Sequence, residues 1–172
     1  MAPRLVVVGP PGAGKTTVGR LVAERLGVDF VDTDEVVETR SGRTIPDIFV
    51  EDGEPTFRDF ERAAVVDVLG SSEGVVSLGG GAVMDPRTEA DLSSHVVVFL
   101  DVGIADAARR VGFGQHRPLL GINPRAQWTK LMQDRRAVYE RVAGLVVDTA
   151  GREAVDVADD VVARLRAAEA AS

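Results

Sequence analysis

The chain of 172 residues is 45% apolar and 27% charged, with a formal net charge of -7 and no cysteine. That length suits one domain, which buries about 70% of the surface its unfolded chain exposes, and the missing cysteines exclude a disulfide scaffold, a thiolate metal site and a cysteine nucleophile. The acidic balance argues against a nucleic-acid coat, which needs a basic field, and the 2 histidines, His95 and His116, are too few for an all-histidine metal cluster.

The predicted elements alternate short apolar runs with longer amphipathic stretches, the pattern of an α/β fold with a parallel sheet wrapped by helices. The runs at 5–8, 29–31, 75–78, 96–100 and 145–147 are valine-rich and nearly continuous, as strands buried on both faces should be. Leu5–Val8 comes too soon and is too short for an export signal, and no later run approaches the ~20 residues of a membrane span. A cytoplasmic monomer without membrane or nucleic-acid partners is expected.

Directly after the first run, Gly9-Pro10-Pro11-Gly12-Ala13-Gly14-Lys15-Thr16 fits Gly-x-x-x-x-Gly-Lys-[Ser/Thr] in full, ahead of a helix predicted over 15–26. Glycines let successive N–H groups converge on phosphate oxygens, and the helix N-terminus adds positive potential. Gly12, Ala13, Gly14, Lys15, Thr16 and Thr17 are therefore the expected nucleotide contacts. Lys15 reaches the β- and γ-phosphates, and the Thr16 hydroxyl ligates Mg²⁺. A glycine turn that merely enters a helix is the bland alternative, and strand, spacing, lysine and threonine together disfavour it.

After the second run stand Asp32 and Asp34, at the strand end where a parallel sheet carries its ligand crevice. One carboxylate there can help hold magnesium and the other can take a proton from an attacking hydroxyl, while a simple helix cap is the structural alternative. A short helix is predicted over 34–40. Residues 41–54, with two glycines and a proline, read as a compact excursion rather than a long helix.

A helix over 55–69 carries Arg58 among Glu54, Asp59 and Glu61, so a surface ion pair competes with a binding role. Gly79-Gly80-Gly81 follows the third run, and Asp85-Pro86 caps a helix over 86–93. Helices over 104–111, 125–143 and 153–168 complete the pattern. Residues 112–124 hold three glycines, two prolines and Arg117, and read as a mobile loop. Trp128, the single tryptophan, is expected in helix packing or on the surface.

Asp32-Thr33-Asp34, Ser41-Gly42-Arg43-Thr44-Ile45, Asp52-Gly53-Glu54 and Phe57-Arg58 together resemble the substrate-binding segment (about 32–61) of bacterial shikimate kinases. Leu78-Gly79-Gly80-Gly81-Ala82 resembles that family's glycine triplet, Arg117-Pro118-Leu119-Leu120 its lid motif, and Arg135-Arg136 with Tyr139 its later arginine site. The resemblance runs the length of the chain as one domain, with the lid at about 112–124. It implies a three-layer P-loop kinase fold, a five-stranded parallel sheet in the order 2-3-1-4-5 with helices on both faces.

It also implies phosphorylation of the 3-hydroxyl of shikimate by ATP with Mg²⁺, on the way to chorismate and aromatic amino acids. Arg58 and Arg136 would hold the substrate carboxylate, since the arginine fork suits it. Asp34 would take the ring hydroxyls, and Gly79, Gly80 and Gly81 would let the backbone approach the ring. Arg117 would neutralise the transferring phosphoryl, Arg110 and Arg152 would flank the adenine, and Thr16 and Asp32 would serve the metal. Two departures stand out: Ala13 replaces a frequent serine, and the stretch from Arg136 to the last strand is about one residue short of some relatives. A gluconate-kinase-like enzyme is the nearest alternative. A P-loop regulatory ATPase is further off, because neither lysine lies in an Asn-Lys-x-Asp element.

Overall fold

The computed structural model of the protein describes residues 2–111 and 123–172. Five parallel strands, β1 (Leu5–Val8), β2 (Phe30–Asp32), β3 (Val75–Ser77), β4 (Val97–Asp101) and β5 (Leu145–Asp148), form one sheet in the order β2-β3-β1-β4-β5. The register pairs Val6 with Val76 on one side and Val97 on the other, and Val31 with Val76. β1 is central and all four of its residues are buried. Each fully buried valine there contributes about 1.5–3 kcal/mol relative to exposure.

Right-handed crossovers decide which face each helix covers. α1 (Lys15–Leu26) leads leftward from β1 to β2 and packs with the C-terminal helix α8 (Ala154–Ala170) on one face. The connections that step back across the sheet lie on the other face: α2 (Thr33–Ser41), α3 (Ile45–Asp52), α4 (Glu54–Ser71), α5 (Pro86–Leu92), α6 (Ile104–Val111) and α7 (Pro124–Val142). The expected stripe of α8, Val157, Val161, Val162 and Leu165, is buried against the sheet side of the core.

Local chemistry sets the element ends. Gly27 and Gly42 close α1 and α2 in the left-handed conformation. Asp85 caps α5, its carboxylate accepting the Arg87 N–H at 2.9 Å, with Pro86 in the first turn.

The excursion at 41–54 contains a regular helix after all. Thr44 caps α3 by accepting the Asp47 N–H at 3.2 Å, and Pro46 sits in the first turn. A second small core seals α2, α3 and α4 together through Val37, Ile48, Phe57 and Ala64, with the Phe49 and Phe57 ring centroids 4.9 Å apart. This second core holds the segment 32–61 as a unit beside the main sheet, and α4 in turn carries two charged side chains towards the strand ends.

Candidate active site

A cleft of about 1010 Å³ opens at the C-terminal edge of the sheet. The loops after β1, β2, β3 and β5 all contribute to it, as the crevice rule for open parallel sheets requires.

The loop after β1 enters α1 through two glycines that need positive φ. Gly12 (φ 88) packs so closely on α6 that a Cβ there would lie 2.8 Å from Ala107 Cα, and Gly14 (φ 85) caps α1. Gly12, Ala13, Gly14, Lys15, Thr16 and Thr17 all line the cleft. Lys15, first residue of α1, donates to the Pro10 carbonyl at 3.1 Å. The Thr16 hydroxyl donates to Asp32 Oδ2 at 2.8 Å, while Asp32 Oδ1 accepts the Asp34 N–H at 2.9 Å as the cap of α2. Capping and facing the phosphate loop are thus both done by Asp32, one with each carboxylate oxygen. Asp34, in the first turn of α2, lines the cleft next to it.

The glycine triplet after β3 is surrounded by charged tips. Gly80 and Gly81 line the cleft, whereas Gly79 is buried beside it. A Cβ on Gly79 would meet Asp34 Oδ1 at 2.6 Å and Glu61 Oε2 at 2.9 Å. On Gly80 it would stand 3.3 Å from Arg135 Nη1, and on Gly81 2.7 Å from both terminal nitrogens of Arg58. One end of the triplet therefore faces carboxylates and the other guanidinium groups. Tyr139, fully buried and stacked on Phe99, donates its hydroxyl to the Gly80 carbonyl and pins the triplet from below.

Arg58 reaches the cleft through an ion pair rather than as an exposed surface residue. Its Nη1 lies 2.7 Å from Glu61 Oε1, and Glu54 sits 3.3 Å from its other nitrogens. Glu61 is 4% exposed, and burial pushes its carboxyl above the usual range against the pull of Arg58 and Arg135. Glu61 and Glu54 in turn hold the Arg58 guanidinium firmly protonated, more than compensating its own burial.

The placement of Arg136 differs from the expectation. Arg136 lies outside the cleft: it forms a bidentate pair with Asp101 at 2.8 and 3.0 Å and sits over the Phe99 ring at 5.8 Å. Arg135 lines the cleft instead and is 6% exposed. The physical reason is the rotation of α7, whose buried positions Trp128, Met132, Arg135 and Tyr139 follow an i, i+4, i+7, i+11 stripe. The spacing of Trp128, Met132 and Tyr139 is the signal in the sequence that favours Arg135, and it becomes decisive once those residues are seen to be buried. Glu61 was likewise visible as a lone acid on the buried face of α4, among Phe57, Ala64, Val65 and Val68.

Arg110 and Arg152 both line the far end of the cleft. Arg110 donates to the Gly12 carbonyl at 3.2 Å and to Thr149 Oγ1 and O at 2.9 and 2.7 Å, bridging the phosphate loop to the end of β5. Arg152 is held by the Asp148 carbonyl at 3.0 Å and Asp160 at 3.1 Å. Trp128 is buried, with its indole N–H on the Pro11 carbonyl at 2.8 Å. Arg117, His116 and nearly all of the expected lid fall outside the described residues.

The arrangement can bind a polyphosphate along the first loop and a small acid in the charged pocket beside it. Comparisons with known proteins point to one family. A family model for shikimate kinase matches residues 11–166. A shikimate kinase of Thermobifida fusca is 51% identical over 166 residues, covering 96% of each chain. Another from Salinispora arenicola is 52% identical over 167 residues, 97% of this chain and 100% of that protein. Among solved structures, shikimate kinase from Acinetobacter baumannii in complex with shikimate superposes with a TM-score of 0.92 at 33% identity, covering 97% and 94% of the two chains.

Proposed function

The chain belongs to the shikimate kinase family, and from that premise we propose how its own residues divide the work of moving a phosphoryl group from ATP to the 3-hydroxyl of shikimate. The observation that carries the proposal is the polarity of the glycine triplet's surroundings. Asp34 stands beside Gly79, and Arg58 and Arg135 stand beside Gly81 and Gly80. Shikimate has the matching polarity, ring hydroxyls at one end and a carboxylate at the other.

Arg58 and Arg135 hold the carboxylate by charge-assisted hydrogen bonds, with Glu61 fixing the Arg58 fork in place. That leaves the hydroxyl end at Asp34, next to the phosphate loop through Asp32 and Thr16. Asp34 orients the attacking hydroxyl and accepts its proton. Lys15 leaves the Pro10 carbonyl to meet the β- and γ-phosphates, while the loop N–H groups and the N-terminus of α1 take the rest of the negative charge. Arg110 and Arg152 border the base of the nucleotide. Arg117 is given the charge of the transferring phosphoryl on the resemblance alone. Phosphoryl transfer asks little covalent chemistry of the protein, so positioning and electrostatics carry the rate.

Thr16 Oγ1 and Asp32 Oδ2, 2.8 Å apart, offer two hard oxygens beside the phosphate loop, a donor set that fits Mg²⁺. When bound, the ion neutralises phosphate charge and helps align the reacting groups. Among the described residues no helix is long and apolar enough to cross a membrane, and we take the enzyme to act as a cytoplasmic monomer in aromatic amino-acid biosynthesis.

The test is ADP release from Mg-ATP by the purified protein, with and without shikimate, and with gluconate in parallel. Stimulation by shikimate alone is the expected result. Stimulation by gluconate would move the error to the acceptor pocket, and acceptor-independent turnover would defeat the reading.

A further inference from the structure

We propose that Trp128 is a positioning residue for the phosphate-binding loop: its indole N–H holds the Pro11 carbonyl and so aims the N–H of Gly12. The inference rests on the reading that this loop binds the phosphates of ATP.

Three successive carbonyls of the loop each accept a side-chain donor. Pro10 takes Lys15 at 3.1 Å, Pro11 takes Trp128 at 2.8 Å and Gly12 takes Arg110 at 3.2 Å. Lys15 and Arg110 line the cleft and have work there, but Trp128 does not line it. It is 4% exposed and packed into the main core, so the position of its N–H is set by packing and not by ligand.

The loop needs such a holder because it can do little for itself. Pro10 and Pro11 have no N–H to donate. Ala13 N–H reaches the Pro10 carbonyl at 3.2 Å, which leaves the peptide between Pro11 and Gly12 to outside support. Gly12, at φ 88, lacks the Cβ that would restrict rotation of that peptide. A trans peptide is planar, with its C=O and N–H pointing in opposite directions. Fixing the Pro11 oxygen towards α7 therefore turns the Gly12 N–H away from α7. An oriented N–H costs no reorganisation when phosphate arrives, which is how preorganised dipoles assist transfer.

Trp128 is the single tryptophan, so expression in a tryptophan auxotroph fed β-(3-benzothienyl)alanine replaces its N–H by sulfur and changes no other residue. Loss of one neutral hydrogen bond is expected to weaken MgADP binding by calorimetry, and to raise the ATP KM, by roughly 2- to 10-fold. The shikimate KM is expected to hold, and the melting temperature to fall by only a few degrees, as loss of one hydrogen bond implies. Trp128→Phe, judged by the same split, is the second variant. Unchanged MgADP affinity in both would overturn the proposal, and so would a lower melting temperature with both KM values raised alike, which marks packing alone. Wild-type protein without shikimate-dependent ADP release would defeat the functional reading instead, while the MgADP comparison still reports on Trp128.

Discussion

Arg135 and Arg136 are neighbours on α7 and serve opposite purposes: the first lines the cleft and is 6% exposed, the second is bound to Asp101 outside it at 2.8 and 3.0 Å. Adjacent helix positions diverge by about 100°, so only one of the pair can face the glycine triplet. Arg135→Ala should remove a charge-assisted contact of about 1.5–3 kcal/mol, lowering kcat/KM for shikimate about 10- to 150-fold with the ATP KM little changed. Arg136→Ala should cost ~0–1 kcal/mol of stability and leave the shikimate KM alone, because it breaks a part-exposed ion pair. Steady-state kinetics on the two variants decide the matter, and a larger shikimate defect in Arg136→Ala would return the clamp to that residue.

The pair also marks where the sequence stops being informative. Valine-rich runs announced five parallel strands because both faces of this sheet are covered. The strand ends slipped by a residue at Asp32, Asp101 and Asp148, where an acidic side chain closes the strand and reads as loop. α3 was hidden by Gly42 and Gly53 at its flanks, although Thr44, Pro46 and Asp47 spell an N-terminus. The choice between Arg135 and Arg136 needed the rotation of α7, which Trp128, Met132 and Tyr139 settle by packing. The structure brings Gly12 to Thr16, Asp32, Asp34 and Arg58 to one cleft, and they stood out in the sequence because phosphate and carboxylate binding would demand such residues at such spacings. Glu61 was passed over because an acid three residues after an arginine looks like a helix-surface pair, although its place in line with Phe57, Ala64, Val65 and Val68 marks the buried face of α4.

Asp34 sits in the first turn of α2, its Oδ1 beside the glycine triplet and its N–H on Asp32. Asp34→Asn keeps the shape and removes the proton acceptor, so kcat should fall about 10²- to 10⁴-fold. MgADP affinity should stay near wild type, because the Asp32 to Thr16 contact is untouched. Near-normal kcat would show that Asp34 neither takes the proton nor orients the hydroxyl.

Glu61 gives a pH signature. Burial raises its carboxyl pKa in the folded chain, so the folded state binds that proton more tightly than the unfolded one. Stability from this group is then fully present below the unfolded value and is lost as pH rises through the raised folded value. Glu61→Gln cannot titrate. Its melting temperature relative to wild type should therefore improve as pH is taken from about 4 to 7, while its shikimate KM rises at neutral pH because Arg58 loses its anchor. Parallel melting curves across that range would mean that the carboxyl is not perturbed in the direction given.

The two ends of the glycine triplet should separate kinetically. A methyl on Gly79 would stand 2.6 Å from Asp34 Oδ1 and 2.9 Å from Glu61 Oε2, and one on Gly81 2.7 Å from the Arg58 guanidinium. Every contact is with the far end of a side chain, and neither glycine has positive φ, so the chain folds and the side chains move. Gly79→Ala displaces the proton acceptor and should depress kcat foremost. Gly81→Ala displaces the carboxylate clamp and should raise the shikimate KM foremost, with melting temperatures near wild type in both. Displacing a positioned group by about 1 Å can cost on the order of 10²-fold in rate, so the effects should be large enough to tell apart. Identical kinetic defects in the two variants would mean that the triplet acts as one rigid floor and that the acid and base ends of the pocket are not separately tuned.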